Sequence, residues 1–577
     1  MKFSRWVQGG VLAVAALVLD GCGGNNNNTG PAVYNVELSA GPSNLYQHVW
    51  VTVSGIAMNP NATEIFSASD QTWQYYTLAQ PVTVDLNDLD NGTMRTIITN
   101  LHIGAGNYLQ TRLLLTPTNQ ALTSSAQSHT DGHGQALQWN DQIEYMSGGN
   151  LVEAPLEVPA DGQVLFVGTA QILGAGGTYD TNFDIDLVHS VVPFQQGNSL
   201  GFYLQPQLQS HQVQLDGAIQ GTLATASLCP RGTAASTCAS QVVAMAELPH
   251  YDAAGNLTYQ AVREAAVDPS TGNFVLYPLE PSTTVGIYQV VIRGVNMRTI
   301  MISNVPVVSG TSPSAFSPNA SIGVYQPTML STTPLPVTLT QSGYYAQMSQ
   351  AMTPYAPGHV LFTQTPTLLD VPTEIHWAST DPFTGLLSTP VQLDGDTMEE
   401  GTWISLAPTT LVASSPYNGN GNYGAFSMGT VYQVPAVPGS VIAAGAPGST
   451  VNFAPVAPIQ LATVPNGQVS VQFTVTNAAG YDKGQLVMSD IAGIVTSVDI
   501  SALLGGSGGS GSCSAATHSC TVQVPVGSSA LLTPGTYYYP YLRLWKSSSS
   551  APATLVDINT PVNLMAGGNG TLSVTIP

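Results

Sequence analysis

Charged residues are scarce in this sequence of 577 residues. Asp, Glu, Lys and Arg make up 8% of it, whereas an average soluble domain contains roughly 25%. Exposed helix faces normally use Glu, Lys and Arg, so their scarcity argues against a helical protein. Basic residues are rarest, with 11 against 33 acidic residues, and they are not clustered. A nucleic-acid partner is therefore not expected, because the chain has no source of phosphate contacts.

Long apolar runs are also missing. The run Val11–Leu19 follows the basic residues Lys2 and Arg5 and precedes Cys22. It is shorter than the roughly 20 residues of a membrane-spanning helix, although a signal-anchor helix is the alternative interpretation. The order of a positive end, a short apolar stretch and a small residue is typical of a bacterial secretory signal peptide. Leu19-Asp20-Gly21-Cys22 resembles the lipobox of bacterial lipoproteins, although Asp20 is an unusual occupant of its second place.

This resemblance implies that residues 1–21 are a signal peptide and that Cys22 is lipidated as the new N-terminus. Their removal takes away two basic residues and one acidic residue, which changes the net charge from −22 to −23. Residues 22–31 are rich in Gly and Asn and predict a flexible tether. Gly23 directly after Cys22 resembles the pattern of lipoproteins sent to the outer membrane. We expect a lipid anchor on the periplasmic or cell-surface face of a bacterial outer membrane.

Only five cysteines are present. The four beyond Cys22 form two close pairs, Cys229/Cys238 and Cys513/Cys520. In an exported chain the simplest interpretation is two local disulfides. A metal site would need four converging ligands, and these spacings match no zinc pattern.

Glycine and proline are abundant, with 57 and 40 residues. They separate short runs in which apolar and polar residues alternate. Residues 49–54 read Val-Trp-Val-Thr-Val-Ser, which predicts a half-buried strand with Trp50 and Thr52 on the outer face. We predict an all-β protein of tandem β-sandwiches, Ig-like or prealbumin-like. The expected units are residues 32–213, residues 214–310, and one or two further sandwiches in residues 311–577.

A distinctive pattern lies in the first unit. It consists of Val84-Asp85-Leu86, then Leu89 and Asn91-Gly92, then Gly106-x-Tyr108-x-x-x-Arg112-Leu113. These residues resemble domain-of-unknown-function family 4382, which contains bacterial β-sandwich domains that often occur in lipoproteins. The first strand ends in Ser39-Ala40-Gly41-Pro42 and not in the family's usual Thr-Asp-Ala. The family has no established activity, so the resemblance implies fold and location only.

The second unit carries Asp268 followed by Gly272-x-Phe274, and then Gly286-x-Tyr288. This order resembles carboxypeptidase regulatory-like, or transthyretin-like, domains. Such domains are usually non-catalytic spacers. The segment from Cys229 to Cys238 is an insertion that the family pattern does not require.

One segment offers candidate metal ligands. His129, Asp131 and His133 place two imidazoles and a carboxylate within five residues, and both groups are good ligands for divalent cations. The alternative is a polar insertion between strands. We predict no other cofactor.

Two expectations concern buried or exposed charge. Arg112 lies in an apolar run, and a buried Arg needs a counter-charge, so we predict a structural ion pair with Asp85. Asp184 and Asp186 share one strand face. We expect them to be solvated carboxylates, with an acid–base pair as the alternative.

These observations favour a non-enzymatic cell-envelope lipoprotein that presents β-sandwich domains for binding or adhesion. Its partner would be a glycan or a protein, and the 24 Tyr residues suit such surfaces, although Tyr is also ordinary core material. One alternative is an envelope hydrolase or metal-dependent enzyme, which a pocket lined by His and two carboxylates would favour. Another is a structural spacer or self-assembling surface subunit, which open strand edges would favour.

Overall fold

The structure is a computed structural model of the chain. Cys22, Cys229 and Cys238 lie outside the residues that it describes. The described ranges are 30–41, 46–61, 71–147, 149–158, 163–165, 170–196, 199–204, 208–223, 242–251, 257–294, 299–309, 321–325, 359–366, 371–379, 398–402, 412–413, 422–428, 437–438, 442–443, 467–477, 479–490, 493–505, 512–514, 519–526, 537–549, 553–558, 562–563 and 570–576.

The first sandwich consists of two main sheets and a short ribbon. Its strands are β1 (Ala32–Gly41), β2 (Tyr46–Asn59), β3 (Gln74–Asp85), β4 (Arg95–Ile103), β5 (Gly106–Tyr108), β6 (Gln110–Leu115), β7 (Gln142–Ser147), β8 (Asn150–Glu157), β9 (Gln163–Leu165), β10 (Gln171–Leu173), β11 (Thr178–Asp186), β12 (Val191–Gln196), β13 (Ser199–Leu204) and β14 (Leu208–Gln212). One sheet has the order β14-β11-β1-β4, and the other has the order β12-β13-β8-β7-β2-β6-β9 with β3 also paired to β2. Short helical turns lie at Leu86–Asp88, Ser124–Gln127 (α1) and Leu187–Ser190 (α2).

The core of this sandwich lies between its two sheets. Alternate residues of β1, including Tyr34, Val36 and Leu38, are fully buried and pack in one cluster with Val51 of β2 and Leu113 of β6. The outer face of β2 is covered as well, because Trp50 packs against Ala126 and Leu137 of the segment between β6 and β7. The predicted half-buried strand at residues 49–54 is therefore wrong in its exposure, since that insertion folds back over the face expected to meet solvent.

The second sandwich extends past the expected boundary at residue 310. Its strands are β15 (Gly217–Leu223), β16 (Val243–Tyr251), β17 (Leu257–Ala266), β18 (Asn273–Leu279), β19 (Tyr288–Arg293), β20 (Thr299–Val305), β21 (Ser321–Tyr325), β22 (His359–Gln364), β23 (Thr373–Ser379), β24 (Met398–Thr402), β25 (Val412–Ala413), β26 (Asn422–Met428), β27 (Val437–Pro438) and β28 (Ile442–Ala443), and α3 spans Ser282–Val285. The sheet β18-β15-β21 faces the long sheet β25-β24-β20-β19-β16-β17-β23-β22-β26-β27, with β28 also paired to β26. Strands β21, β23 and β24 join these sheets through parallel pairing.

The third sandwich contains β29 (Gly467–Val475), β30 (Lys483–Asp490), β31 (Gly493–Asp499), β32 (Ser512–Ser514), β33 (Ser519–Val526), β34 (Tyr537–Trp545), β35 (Thr554–Asp557), β36 (Val562–Asn563) and β37 (Gly570–Ile576), with a 3₁₀ turn at Ser501–Leu504. Its sheets have the orders β32-β33-β29-β37 and β31-β30-β34-β35, with β36 also paired to β34. Alternate residues of β29 and β37, such as Phe473 and Val574, pack against Leu542 of β34.

The predicted all-β class is confirmed, because sheets packed face to face dominate the chain. None of the helices in the ranges given above has the length and apolarity that crossing a membrane requires.

Candidate functional site

Two of the cysteines predicted to form disulfides lie in strands. Cys513 of β32 is directly opposite Cys520 of β33 in an antiparallel pair. Directly opposed residues in such a pair have Cα atoms about 4.5–5.5 Å apart, a separation that a disulfide can span. The Cys513–Cys520 bond remains a prediction that this register supports. The Cys229–Cys238 bond and the lipidation of Cys22 also remain predictions.

The predicted ion pair between Arg112 and Asp85 is wrong. Asp85 lies opposite Trp50 on β2, whereas Arg112 lies opposite Ala57 of the same strand. Seven residues along a strand correspond to about 23 Å. The guanidinium of Arg112 lies over the ring of Trp73 instead, 5.1 Å from its centroid.

The partner of Asp85 is His48. The Nδ1 atom of His48 is 2.5 Å from Oδ2 of Asp85, and Oδ1 of Asp85 accepts the backbone N–H groups of Val49 and Asn87 at 3.0 and 3.1 Å. The Asp85 side chain is 3% exposed and the His48 side chain 34% exposed. The hydrogen bond to Asp85 raises the pKa of His48, although partial burial acts in the opposite direction.

Trp50 contacts two histidine rings in the same cluster. Its ring stacks on His48 with centroids 5.7 Å apart and contacts the ring of His129 at 5.2 Å. Its Nε1–H donates to Oε1 of Glu144 at 3.0 Å, and Oε2 of Glu144 accepts the backbone N–H of Gly132 at 2.8 Å. We refer to His48, Trp50, Asp85, His129 and Glu144 as the histidine cluster.

Gly132 lies close to two side chains. A Cβ atom there would lie 2.6 Å from Cδ2 of Leu151 and 2.8 Å from Oε2 of Glu144. A methyl group at this position would require the side chains of Leu151 and Glu144 to shift, and a shift of Glu144 would weaken its hydrogen bond with the Gly132 N–H. This contact fixes the insertion against the large sheet.

The three predicted metal ligands have partners within the protein. Nδ1 of His129 is 2.9 Å from the Ser125 carbonyl, Oδ1 of Asp131 accepts the backbone N–H groups of His133 and Gln135, and Nε2 of His133 is 3.5 Å from a carboxylate oxygen of Glu153. Within the described ranges, no group of three or more His, Cys, Asp or Glu side chains could hold a metal ion. The structure therefore does not bring these residues together as a ligand set.

The histidine cluster holds the imidazole of His48 in a fixed orientation. Asp85 fixes Nδ1 of His48, as in the orienting half of a catalytic triad, and the His48 side chain is partly exposed. Among residues that the structure describes, no hydroxyl or thiol hydrogen-bonds to His48. The cluster thus offers a positioned imidazole without the nucleophile of a triad in that part of the chain.

A buried arginine connects the first and third sandwiches. The guanidinium of Arg543 on β34 donates two hydrogen bonds to Glu157 on β8, at 2.8 and 2.7 Å, and both side chains are buried, at 4% and 3% exposure. Tyr203 stacks on Tyr541 beside this pair with centroids 4.9 Å apart. Burial opposes the charge of Arg543, but the carboxylate of Glu157 prevails and raises the pKa of Arg543.

A second buried arginine connects the first and second sandwiches. Arg263 of β17 donates to Oδ1 of Asp184 and, at 3.2 Å, to the Ala40 carbonyl. Ser39 donates to the same Asp184 oxygen at 2.6 Å. Asp184 is buried, so the expectation of a solvated carboxylate is wrong at this position, because the second sandwich covers it.

Residues 32–206 match the family model of the domain of unknown function DUF4382. The resemblance of the first unit to this family is thereby confirmed over those residues. Among curated proteins, none matches the chain significantly.

The chain also has weak similarity to solved structures. A leucine-rich repeat protein from Bacteroides thetaiotaomicron is 10% identical over 42% of this chain, and the chain spans a quarter (25%) of that protein, with a TM-score of 0.12. Two B repeat units of the collagen binding protein of Staphylococcus aureus are 5% identical, with 94% of this chain and 98% of that chain covered and a TM-score of 0.12. The major pilin SpaA of Corynebacterium diphtheriae is 9% identical, with 73% and 98% covered and a TM-score of 0.12.

The DUF4382 domain supplies the acid at both buried contacts. Glu157 and Asp184 belong to it, and the arginines come from the two neighbouring sandwiches. Sequence reasoning missed both pairs, although each arginine lies in a mostly apolar strand and so carries the same signal as Arg112. The DUF4382 domain is therefore the central unit to which the other two sandwiches attach.

Proposed function

We propose that the protein is a non-enzymatic lipoprotein, anchored to a bacterial outer membrane through Cys22, that presents docked β-sandwiches for binding or adhesion to a glycan or a protein. The observation that carries this proposal is the attachment of two sandwiches to the DUF4382 domain by Arg263–Asp184 and Arg543–Glu157. A tether followed by units docked in this way would hold a binding surface at a defined orientation outside the membrane. The second unit would be a carboxypeptidase regulatory-like spacer.

Fatty-acid labelling tests the anchor. Cells that express the full chain and grow with a clickable fatty acid should yield a labelled protein, and Cys22→Ser should abolish the label. Cys513→Ser is the matched control and should keep it. An unlabelled wild type, beside a labelled control lipoprotein, would overturn the anchor.

Binding is tested with the soluble chain from residue 23 onward. Saturable binding to immobilised exopolysaccharide from the producing cells, or to the surface of cells that lack the protein, supports the proposal. If neither probe binds and light scattering shows that the chain self-associates, the result favours a self-assembling surface subunit.

The enzyme alternative has one observation in its favour, the imidazole of His48 held by Asp85. A panel of p-nitrophenyl esters, phosphates and glycosides tests it with the wild type and His48→Ala. If the wild type turns over a substrate and His48→Ala does not, the protein is an envelope hydrolase and the proposed binding function is wrong.

A further inference from the structure

The outer face of the long sheet in the second sandwich contains a buried polar pair. Glu247 of β16 and Gln289 of β19 lie directly opposite each other and are 0% and 1% exposed. The amide Nε2 of Gln289 donates to Oε2 of Glu247 at 2.7 Å and to Oγ1 of Thr373, on β23, at 3.1 Å. This amide therefore connects three strands.

Two oxygen atoms of this pair have no hydrogen-bond partner among the described residues. They are Oε1 of Glu247 and Oε1 of Gln289. A buried polar atom without a partner is costly, and two acceptor oxygens cannot satisfy one another. A proton on the carboxyl group of Glu247 would supply a donor that this pair lacks.

A carboxylic acid and a primary amide can supply that hydrogen in a ring of two hydrogen bonds. The amide N–H donates to one carboxyl oxygen, and the O–H on the other carboxyl oxygen donates to the amide oxygen. The bond from Gln289 to Oε2 of Glu247 is one half of this ring. We propose that Glu247 is a proton-binding site, neutral in the folded protein, whose Oε1–H donates to Oε1 of Gln289.

The charges around Glu247 favour the neutral form. Burial, together with the negative charges of Glu374 on β23 and Glu264 on β17, raises the pKa of Glu247 well above its ordinary value. The hydrogen bond from Gln289 acts in the opposite direction but does not prevail. From β19, the side chain of Arg293 is directed to the Ile375 carbonyl, at 3.5 Å. Glu374 accepts the backbone N–H of Ala261 at 2.9 Å.

The proton would hold β23 against the sandwich. Thr373 and Glu374 are neighbours on β23, and one contacts Gln289 while the other faces Glu247. Loss of the proton would break the ring and place a second negative charge beside Glu374. We therefore expect β23 to loosen as the pH rises.

Hydrogen exchange of peptides that cover β23 tests this site in the full chain. Because the folded-state pKa is raised, the stabilisation is complete below the ordinary value of 4.5 and is lost as the pH rises towards the folded-state value. Protection of β23, corrected for intrinsic exchange, should fall by up to about tenfold per pH unit in this interval. Glu247→Gln keeps a neutral ring and should flatten the dependence, whereas Glu280→Gln, an exposed control, should retain it.

Two results would overturn the proposal. One is the same pH dependence in Glu247→Gln as in the wild type. The other is stabilisation of β23 by Ca²⁺ that EDTA reverses, since the ligand would then be a cation. If Glu247→Gln does not fold, infrared spectra of ¹³C-glutamate-labelled wild type decide: a protonated glutamic acid band at neutral pH supports the site, and its absence contradicts it.

Discussion

Replacing Arg543 with alanine will leave the carboxylate of Glu157 buried without its counter-charge. The Glu157 side chain is 3% exposed and accepts two hydrogen bonds from the guanidinium of Arg543. Removing one partner of a buried ion pair costs about 3–5 kcal/mol, whereas replacing both by apolar residues of similar size is often close to neutral. We expect Arg543→Ala to lower the free energy of unfolding by this amount and Arg543→Met/Glu157→Leu to recover most of it.

Chemical unfolding followed by tyrosine and tryptophan fluorescence measures these differences. Arg95→Ala is the matched control, because Arg95 is exposed and such substitutions stay within about 0.5 kcal/mol. The single variant should also lose the coupling between the first and third sandwiches, which would then unfold in separate transitions. If Arg543→Ala costs no more than Arg95→Ala, the buried pair does not hold the two sandwiches together.

Three further predictions follow from the histidine cluster and the cysteines. His48→Asn should lower the thermal midpoint more near about pH 5.5 than near about pH 8.5. The raised pKa of His48 stabilises the fold below the ordinary histidine pKa, and this contribution is lost as the pH rises through the folded-state value. Equal losses at the two pH values would contradict the raised pKa. Gly132→Ala should cost about 1–3 kcal/mol in denaturant unfolding, whereas Gly106→Ala, which has open space around it, should cost less; the reverse order would refute the close approach. Cys513→Ser should leave Cys520 as a free thiol in the unfolded protein and lower the free energy of unfolding by about 2–3 kcal/mol. A free thiol already present at Cys520 in the wild type would exclude the disulfide.

The alternation of apolar and polar residues was enough to predict the all-β class. Residues 571–576 alternate in the sequence, and Leu572, Val574 and Ile576 are buried in β37. Exposure was harder to predict, because it depends on what covers a strand. Trp50 was expected to face solvent, and an insertion more than 70 residues further along the chain covers it.

Ion pairing shows the same limit. The rule that an arginine in an apolar strand needs a carboxylate holds for Arg263 and Arg543, yet it does not identify the acid. The partners of Arg263 and Arg543 are 79 and 386 residues away in sequence. Such pairs arise from the docking of separate sandwiches, which local spacing does not encode.

Mass spectrometry of the N-terminal peptide tests the central claim most directly. We predict that the mature protein purified from membranes begins at Cys22 and carries acyl chains on that residue. A mature chain that begins at another residue, or an unmodified Cys22, would contradict the proposal that this protein is a lipid-anchored carrier of β-sandwiches.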